Sequence, residues 1–326
     1  MTWLIVQFIL GVVLLNKSAD WFARGSALTA ELTGMPRIWM GAVLGGFVSA
    51  IPEKLFSCFG AAFGHSELAV GNSIGSVTFN SVLLGICLLQ ARGPVDKRWF
   101  RDHGIPMLVM LTILAAFGVM SDSIGWPVGL LFIFLCVLYV IWSVVAAQKQ
   151  PELARQAEEV AAEVLDGGPG LHRWWVASLL LVLGITLLLL SSYWLYRVSV
   201  LMAQAMELSE SVVGLTLVAV GTSLPELAAS LAATRRGHLD TSIGLIFGES
   251  IFVGMGATGI SALCGRLTIT PANQLFDLPV MLVLRVLPFV PLLFGRVPGK
   301  KMGILLLIGY AAYVYALFTI YGVFQP

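Results

Sequence analysis

A glutamate lies in the middle of an apolar stretch between Gly214 and Val253. The stretch reads Ala-Val-Gly-Thr-Ser-Leu-Pro-Glu from Ala219 to Glu226, with valine and leucine residues on both sides. A carboxylate inside a membrane span is energetically costly and usually serves a function there. Glu226 is therefore a candidate for binding a cation or a proton.

The stretch around Glu226 has a second copy earlier in the chain. Subtracting 173 from each residue number places Glu226 on Glu53 and Thr222 on Ser49, and it also aligns the flanking prolines and glycines without a gap. All but one of the pairs compared are identical. A pattern shared at a fixed spacing indicates a duplicated unit.

A proline directly precedes the glutamate in each copy. Pro52 cannot donate an N–H to the carbonyl of Val48, four residues earlier, and its ring opens that turn of the helix. Irregular backbone at membrane depth is tolerated only where it is buried or lines a cavity, and carbonyl oxygens beside a carboxylate suit a hard cation. One copy alone is equally typical of a simple proline kink. Two copies in register favour an ion site at the membrane midplane.

The composition predicts a membrane protein with several spans. Apolar residues make up 58% of the chain and charged residues only 11%, whereas soluble domains carry roughly 25% charged residues. A span needs about 20 apolar residues. Ten runs are long enough, and they lie near 3–22, 36–62, 68–90, 104–120, 125–147, 174–195, 208–234, 240–264, 277–294 and 302–323.

Each copy of the motif falls in a half with five predicted spans. Because five is odd, the second half must cross the membrane in the opposite direction, which gives an inverted-topology repeat. We expect an all-α integral membrane fold of about ten transmembrane helices. Residues 1–147 form the first five-helix repeat, 148–172 a cytoplasmic linker and 173–326 the second five-helix repeat.

Basic residues are distributed unevenly between the two sides of the predicted membrane topology. Although the net charge is only +1, loop residues such as Arg92, Arg98, Arg235 and Lys300 all fall on one side. The positive-inside rule places this side in the cytoplasm. Both termini are therefore expected outside the cytoplasm.

The third predicted span carries small and polar residues that could complete an ion site. Gly71 and Gly75 form a small-residue face that permits close helix contact, and Ser76 and Asn80 share one helix face. If the glycine face packs on the second span, these side chains approach Glu53. The alternative is that they only form hydrogen bonds between helices. In the second repeat, the equivalents of Ser76 and Asn80 are Glu249 and Val253.

Three further features lie in apolar surroundings. Lys54 follows Glu53 and is interpreted either as half of a structural ion pair or as a residue that tunes Glu53 and competes with a bound metal. Arg285 is expected to form a structural ion pair. The four cysteines have no paired spacing, so they are expected to be small core residues without a disulfide or metal role. They are Cys58, Cys87, Cys136 and Cys264.

The duplicated motif resembles the alpha repeats of the sodium/calcium exchanger branch of the calcium/cation antiporter superfamily, in its prokaryotic form. The resemblance covers nearly the whole chain. It implies that Glu53, Glu226 and the backbone carbonyls of Ser49 and Thr222 hold calcium at the middle of the membrane. It also implies flanking sodium sites that include Ser76 and Ser223, with Asn80 at the central site.

Four positions depart from the pattern of that family. Ala50 lacks a hydroxyl that would bind sodium, Glu249 stands in place of a serine, Val253 in place of an aspartate or asparagine, and Lys54 in place of an apolar residue. One sodium site, around Ser76, Ser223 and Glu226, is retained. Glu249 could bind a cation or take up a proton, so the coupling ion is left open between sodium and protons.

The expected function is a secondary active antiporter that exchanges calcium for sodium by alternating access at a carboxylate site. A calcium/proton antiporter is the alternative, and a cation-sensing or structural membrane protein is an alternative of another class. An enzyme is disfavoured because no nucleophile and base pair recurs at suitable spacing, and tightly binding carboxylates disfavour a channel. We expect inorganic cations and the lipid bilayer of a prokaryotic cell membrane as partners, no cofactor and no nucleic acid. A monomer is compatible with the sequence.

Overall fold

The described part of the first half of the chain contains five helices. The computed structural model of the protein describes residues 1–33, 50–148 and 173–324. The helices of this half are α1 (Thr2–Leu32), α2 (Ile51–Ala62), α3 (Ser66–Gln90), α4 (Lys97–Met120) and α5 (Trp126–Gln148). Ser49, most of the predicted linker and the first part of the second predicted span lie outside the described residues.

The second half repeats this order with a broken helix at the motif. Its helices are α6 (Arg173–Met206), α7 (Glu210–Thr222), α8 (Leu224–Arg235), α9 (Leu239–Cys264), α10 (Asn273–Leu293) and α11 (Lys300–Phe324). Two short strands, β1 (Ser123–Ile124) and β2 (Leu267–Thr268), pair antiparallel where α4 and α9 end. The all-α fold is thus supplemented by one small strand pair.

The helices agree closely with the ten predicted spans. In the described part of the chain, eight helices are long and apolar enough to cross a membrane, and the bent pair α7 and α8 can form one more span. The remaining predicted span, near 36–62, contains α2 and residues that the structure does not describe. The structure therefore confirms a multi-span helical fold.

Burial separates the central helices from the outer ones. In α3 and in α9, 83% of the most apolar window is buried, whereas the corresponding value is between 22% and 33% in the other long helices. The outer helices instead expose leucine, valine and tryptophan side chains, as a surface in contact with lipid requires. The centre of the protein is thus built from equivalent elements of both repeats, as an inverted repeat predicts.

The packing of α1 on α6 shows the inverted relation of the two halves. These helices carry the equivalent first spans of the repeats. Gly25 lies against Leu181, and Gly11 lies against Leu195. Because contacts near the end of α1 involve the start of α6, the two helices run antiparallel. Equivalent spans with opposite direction are what an inverted duplication predicts.

The structure shows which helix the glycine face of α3 contacts. A Cβ atom at Gly71 would lie 2.5 Å from the carbonyl oxygen of Ser211, and one at Gly75 would lie 2.5 Å from that of Leu215. The close partner of this face is therefore α7, not the second span. Its glycines allow the backbones of the two repeats to touch.

The expectation that all four cysteines are small core residues was wrong for Cys58, which is partly buried, and for Cys264, which is exposed. The sulfur atoms of Cys58 in α2 and Cys264 at the end of α9 lie 2.8 Å apart, although 206 residues separate them in sequence. Cys87 and Cys136 are buried, as expected of small core residues. The thiols of Cys58 and Cys264 are free, and they lie close together because α2 packs beside α9, which the spacing of cysteines in the sequence does not reveal.

Candidate ion-binding site

The two motif glutamates occupy equivalent positions at the starts of short helices. Glu53 lies in the first turn of α2, and Glu226 lies in the first turn of α8. Proline is well tolerated there because the first N–H groups of a helix have no intrahelical acceptor. A helix N-terminus also stabilises negative charge. The sequence thus places each carboxylate beside the positive end of a helix dipole.

The break before Glu226 is visible in the structure. Helices α7 and α8 meet at an angle of 45° around Ser223. Pro225 has no N–H for the carbonyl of Gly221, which lies four residues earlier. That carbonyl instead accepts a hydrogen bond of 3.4 Å from the side-chain amide of Asn16 in α1. Asn16 therefore supplies the donor that the proline lacks.

Three glutamates converge at the centre of the protein. Glu53, Glu226 and Glu249 each place a carboxylate oxygen within 4.8 Å of the others. The side chains of Glu53 and Glu249 are almost completely buried, and Glu226 is partly buried. Helices α2, α8 and α9 contribute one carboxylate each. We call these three residues the carboxylate cluster.

Few protein donors satisfy the carboxylate cluster. Within the described residues, the two oxygens of Glu53, the two of Glu249 and one of Glu226 make no hydrogen bond of good geometry. The hydroxyl of Thr222 lies beside Glu53, and the amide of Asn80 lies beside Glu249. Buried oxygens that repel one another and lack donors are suited to a cation, and calcium takes several such oxygen ligands.

A hydrogen-bonded asparagine joins the two motifs. The amide of Asn72 donates to Ser57 Oγ over 3.0 Å and to the backbone carbonyl of Glu53 over 3.5 Å. The hydroxyl of Thr222 donates to Asn72 Oδ1 over 3.4 Å. Asn72 thus links α2 to the end of α7 through α3. It was missed in the sequence because its equivalent in the second repeat is Leu245, so the duplication did not mark it.

The remaining candidate residues lie on the same central helices. Ser76 in α3 and Ser223 between α7 and α8 are fully buried, and their hydroxyls have no hydrogen-bond partner among the described residues. Asn80 donates to Ser250 Oγ in α9. Ser49 falls outside the described part of the chain. Its proposed carbonyl ligand therefore stays a prediction.

Two buried basic side chains accompany the carboxylate cluster. Lys54 is only 3% exposed, and its charge acts on both Glu53 and Glu249. Arg285 is 1% exposed and faces Glu249 from α10. Arg285 forms no ion pair within 4.0 Å in the described structure, so the expected direct pair is not observed; its Nη2 instead donates to Ser250 over 2.8 Å. The site therefore contains charges of both signs.

Sequence comparison places the chain in a known family. The profile of the family described as sodium/calcium exchanger protein matches residues 3–145 and 176–319, which together span both repeats. The chain belongs to the sodium/calcium exchanger protein family. This assignment confirms the resemblance deduced from the duplicated motif, and it identifies the chain as a member of a family of membrane transporters.

Individual members of the family are similar over nearly their full length. The putative antiporter CaxA of Alkalimonas amylolytica is 31% identical, with 95% of this chain and 97% of the relative covered. The sodium/calcium exchanger MaX1 of Methanosarcina acetivorans is 24% identical, with 96% and 97% covered. A solved structure of the sodium-calcium exchanger NCX_Mj matches with a TM-score of 0.64 at 25% identity, with 96% of this chain and 98% of that chain covered. The two-repeat exchanger fold is therefore shared.

Proposed function

We propose that this family member is a secondary active antiporter that extrudes calcium in exchange for sodium at the carboxylate cluster. The observation that carries the proposal is the convergence of Glu53, Glu226 and Glu249 within 4.8 Å. Hard carboxylate oxygens prefer hard cations such as calcium. The names of relatives, which include a sodium/calcium exchanger and a putative antiporter, support the same ions and the same type of transport.

Exchange follows from the charge of the site. A divalent cation offsets the repulsion among the carboxylates, and its departure leaves like charges close together in a medium of low dielectric constant. Sodium ions or protons are then needed to replace it. Competition for one site produces exchange when the site opens to each side of the membrane in turn.

The inverted halves provide the framework for such an opening. Glu53 and Glu226 lie at the starts of short helices in opposite repeats, and Glu249 lies on the buried helix α9. Transporters with inverted repeats alternate by moving one group of helices against another around a central site. The antiparallel outer helices α1 and α6 are suited to move together past this centre because they pack closely on each other at Gly11 and Gly25.

Proton coupling is the second candidate, and Glu249 favours it. This residue adds a third carboxylate where the family resemblance implies a serine. Ala50 and Val253, which replace polar residues of the resemblance, are both fully buried. The site has therefore lost oxygen atoms that could bind sodium and gained a group that can accept a proton.

Calcium uptake into proteoliposomes tests both candidates. An outward sodium gradient and an outward proton gradient are applied separately to the wild-type protein and to Glu226→Gln. We expect sodium-driven uptake that the substitution abolishes, because it removes one ligand charge. The matched control is Glu207→Gln, which changes an exposed glutamate outside the cluster and should transport normally.

The outcomes separate the three functional classes. Calcium uptake driven only by the proton gradient would show that protons, and not sodium ions, are the coupling ion. Absence of any uptake that depends on Glu226 would contradict the antiporter proposal. Calcium binding without transport under either gradient would instead indicate a cation-sensing protein.

A further inference from the structure

We infer that Lys54 sets the preference of the carboxylate cluster between divalent and monovalent cations. Its ammonium group acts as a resident positive charge that weakens calcium binding more than sodium binding. The inference rests on the proposed function, because it assigns a selectivity role within the same site.

The position of Lys54 keeps its charge inside the protein. The residue follows Glu53 in the first turn of α2, and its side chain lies beside Phe252 and Gly256 of α9. Its Nζ atom lies 5.5 Å from the centre of the Phe252 ring, and its Cε atom would lie 3.4 Å from a Cβ atom at Gly256. An ammonium group over an aromatic face is stabilised there without leaving the membrane interior. Lys54 therefore cannot reach solvent without leaving its packed position.

The buried acidic and basic side chains around Lys54 nearly cancel one another in charge. The charged groups around Lys54 are the carboxylates of the cluster on α2, α8 and α9, and the guanidinium of Arg285 on α10. Cys136 on α5 adds a thiol. With the three carboxylates ionised and both cations charged, the formal sum is one negative charge. Glu53 and Glu226 alone would carry two.

A fixed positive charge discriminates between ions by their charge. The Coulomb energy between Lys54 and a bound ion is proportional to the charge of that ion, so the repulsion of calcium is about twice that of sodium at the same position. Removing the lysine should tighten the binding of both ions. The fold-change in the calcium dissociation constant should be about the square of the fold-change in the sodium dissociation constant.

The second repeat supplies a matched substitution. The residue that follows Glu226 is Leu227, at the position equivalent to Lys54. Lys54→Leu therefore introduces the side chain that this protein already uses beside its other motif glutamate. Lys54→Gln removes the charge but keeps a polar group, whereas Lys54→Arg keeps the charge.

Equilibrium binding of radioactive calcium to purified protein, with sodium as competitor, tests the inference without requiring transport. We expect Lys54→Leu and Lys54→Gln to lower the calcium dissociation constant at least about tenfold and the sodium inhibition constant, obtained by repeating the competition at several calcium concentrations, about threefold. Lys54→Arg should stay within about twofold of wild type. Gel filtration and thermal unfolding report whether each variant is folded.

Several results would overturn the inference. Folded neutral variants with unchanged or weaker calcium binding would contradict it, as would equal shifts for calcium and sodium. A shift of the same size in Lys54→Arg would indicate packing instead of charge, and loss of folding in both neutral variants would indicate a purely structural lysine. If the wild-type protein binds no calcium, or binds it equally well after Glu226→Gln, the proposed function itself fails.

Discussion

The amide of Asn80 in α3 donates a hydrogen bond to the hydroxyl of Ser250 in α9 over 3.0 Å. The same oxygen accepts a bond of 2.8 Å from Arg285 Nη2, and the hydroxyl donates to the carbonyl of Ile246 over 2.7 Å. A hydroxyl has one donor and two acceptor positions. Ser250 uses all three, so it ties the two repeats together beside Glu249.

Replacing Ser250 by alanine should destabilise the protein. The amide of Asn80 and the guanidinium of Arg285 would each lose a buried acceptor, which costs about 1–3 kcal/mol for an unsatisfied group. Thermal unfolding in detergent measures the effect. Ser81→Ala is the control. Ser81 lies on α3 and is buried like Ser250, but its hydroxyl has no hydrogen-bond partner among the described residues. Equal losses of stability in both variants would contradict the assigned role of Ser250.

The close contact of α3 and α7 predicts that Gly75 tolerates no side chain. In Gly75→Ala the new Cβ would lie 2.5 Å from the carbonyl oxygen and 2.7 Å from the Cα of Leu215, so backbone must move. We expect a loss of about 1–3 kcal/mol of stability, as is typical of overpacking. Gly93→Ala is the matched control because a Cβ there has no atom within 4 Å. A neutral effect at Gly75 would exclude this helix contact.

The contact of Cys58 with Cys264 predicts efficient cross-linking of α2 to α9. Treatment with a mild oxidant such as copper-phenanthroline should remove two electrons and two protons from the thiols and form a disulfide. Mass spectrometry after thiol alkylation should then show two fewer labelled cysteines. Cys58→Ser should abolish the change, whereas Cys87→Ser should not. Full labelling of both thiols after oxidation would show that the helices are not adjacent.

Calcium should stabilise the wild-type protein if it binds at the carboxylate cluster. A ligand that binds only the folded state at 100 times its dissociation constant adds about 2.7 kcal/mol. The unfolding temperature should therefore rise with calcium and fall again on addition of a chelator. Glu53→Gln should remove most of this shift, and Glu207→Gln should preserve it. A shift that persists in Glu53→Gln would place calcium binding elsewhere.

Much of the candidate site was accessible from the sequence because it is duplicated. Glu53 and Glu226 were identified by their shared spacing, and the structure places them together with Glu249. The helix that packs on the glycine face could not be deduced from the sequence, since a small-residue face indicates close packing without identifying its partner. The helix that provides Ser211 and Leu215 is distant in sequence from Gly71 and Gly75.

Residues without a counterpart in the other repeat were harder to interpret. Asn16 and Asn72 bind backbone and side chains of the two motifs, yet neither follows the repeat. Their roles depend on which helix lies opposite. The same holds for Cys58 and Cys264, whose contact joins positions 206 residues apart.

The sequence by itself determined the membrane class, the duplication and the two motif glutamates, because hydrophobic length and repeated spacing are properties of the linear chain. The sequence also marked Glu249 as a candidate, but only the tertiary structure decided that its carboxylate lies within 4.8 Å of those glutamates, that Lys54 and Arg285 are buried beside them, and that α3 packs on α7. These features depend on how helices distant in sequence approach one another. The amino-acid sequence gives the charge of each side chain. The effect of that charge on a bound ion depends on the distance between them, which is set by the packing of the helices.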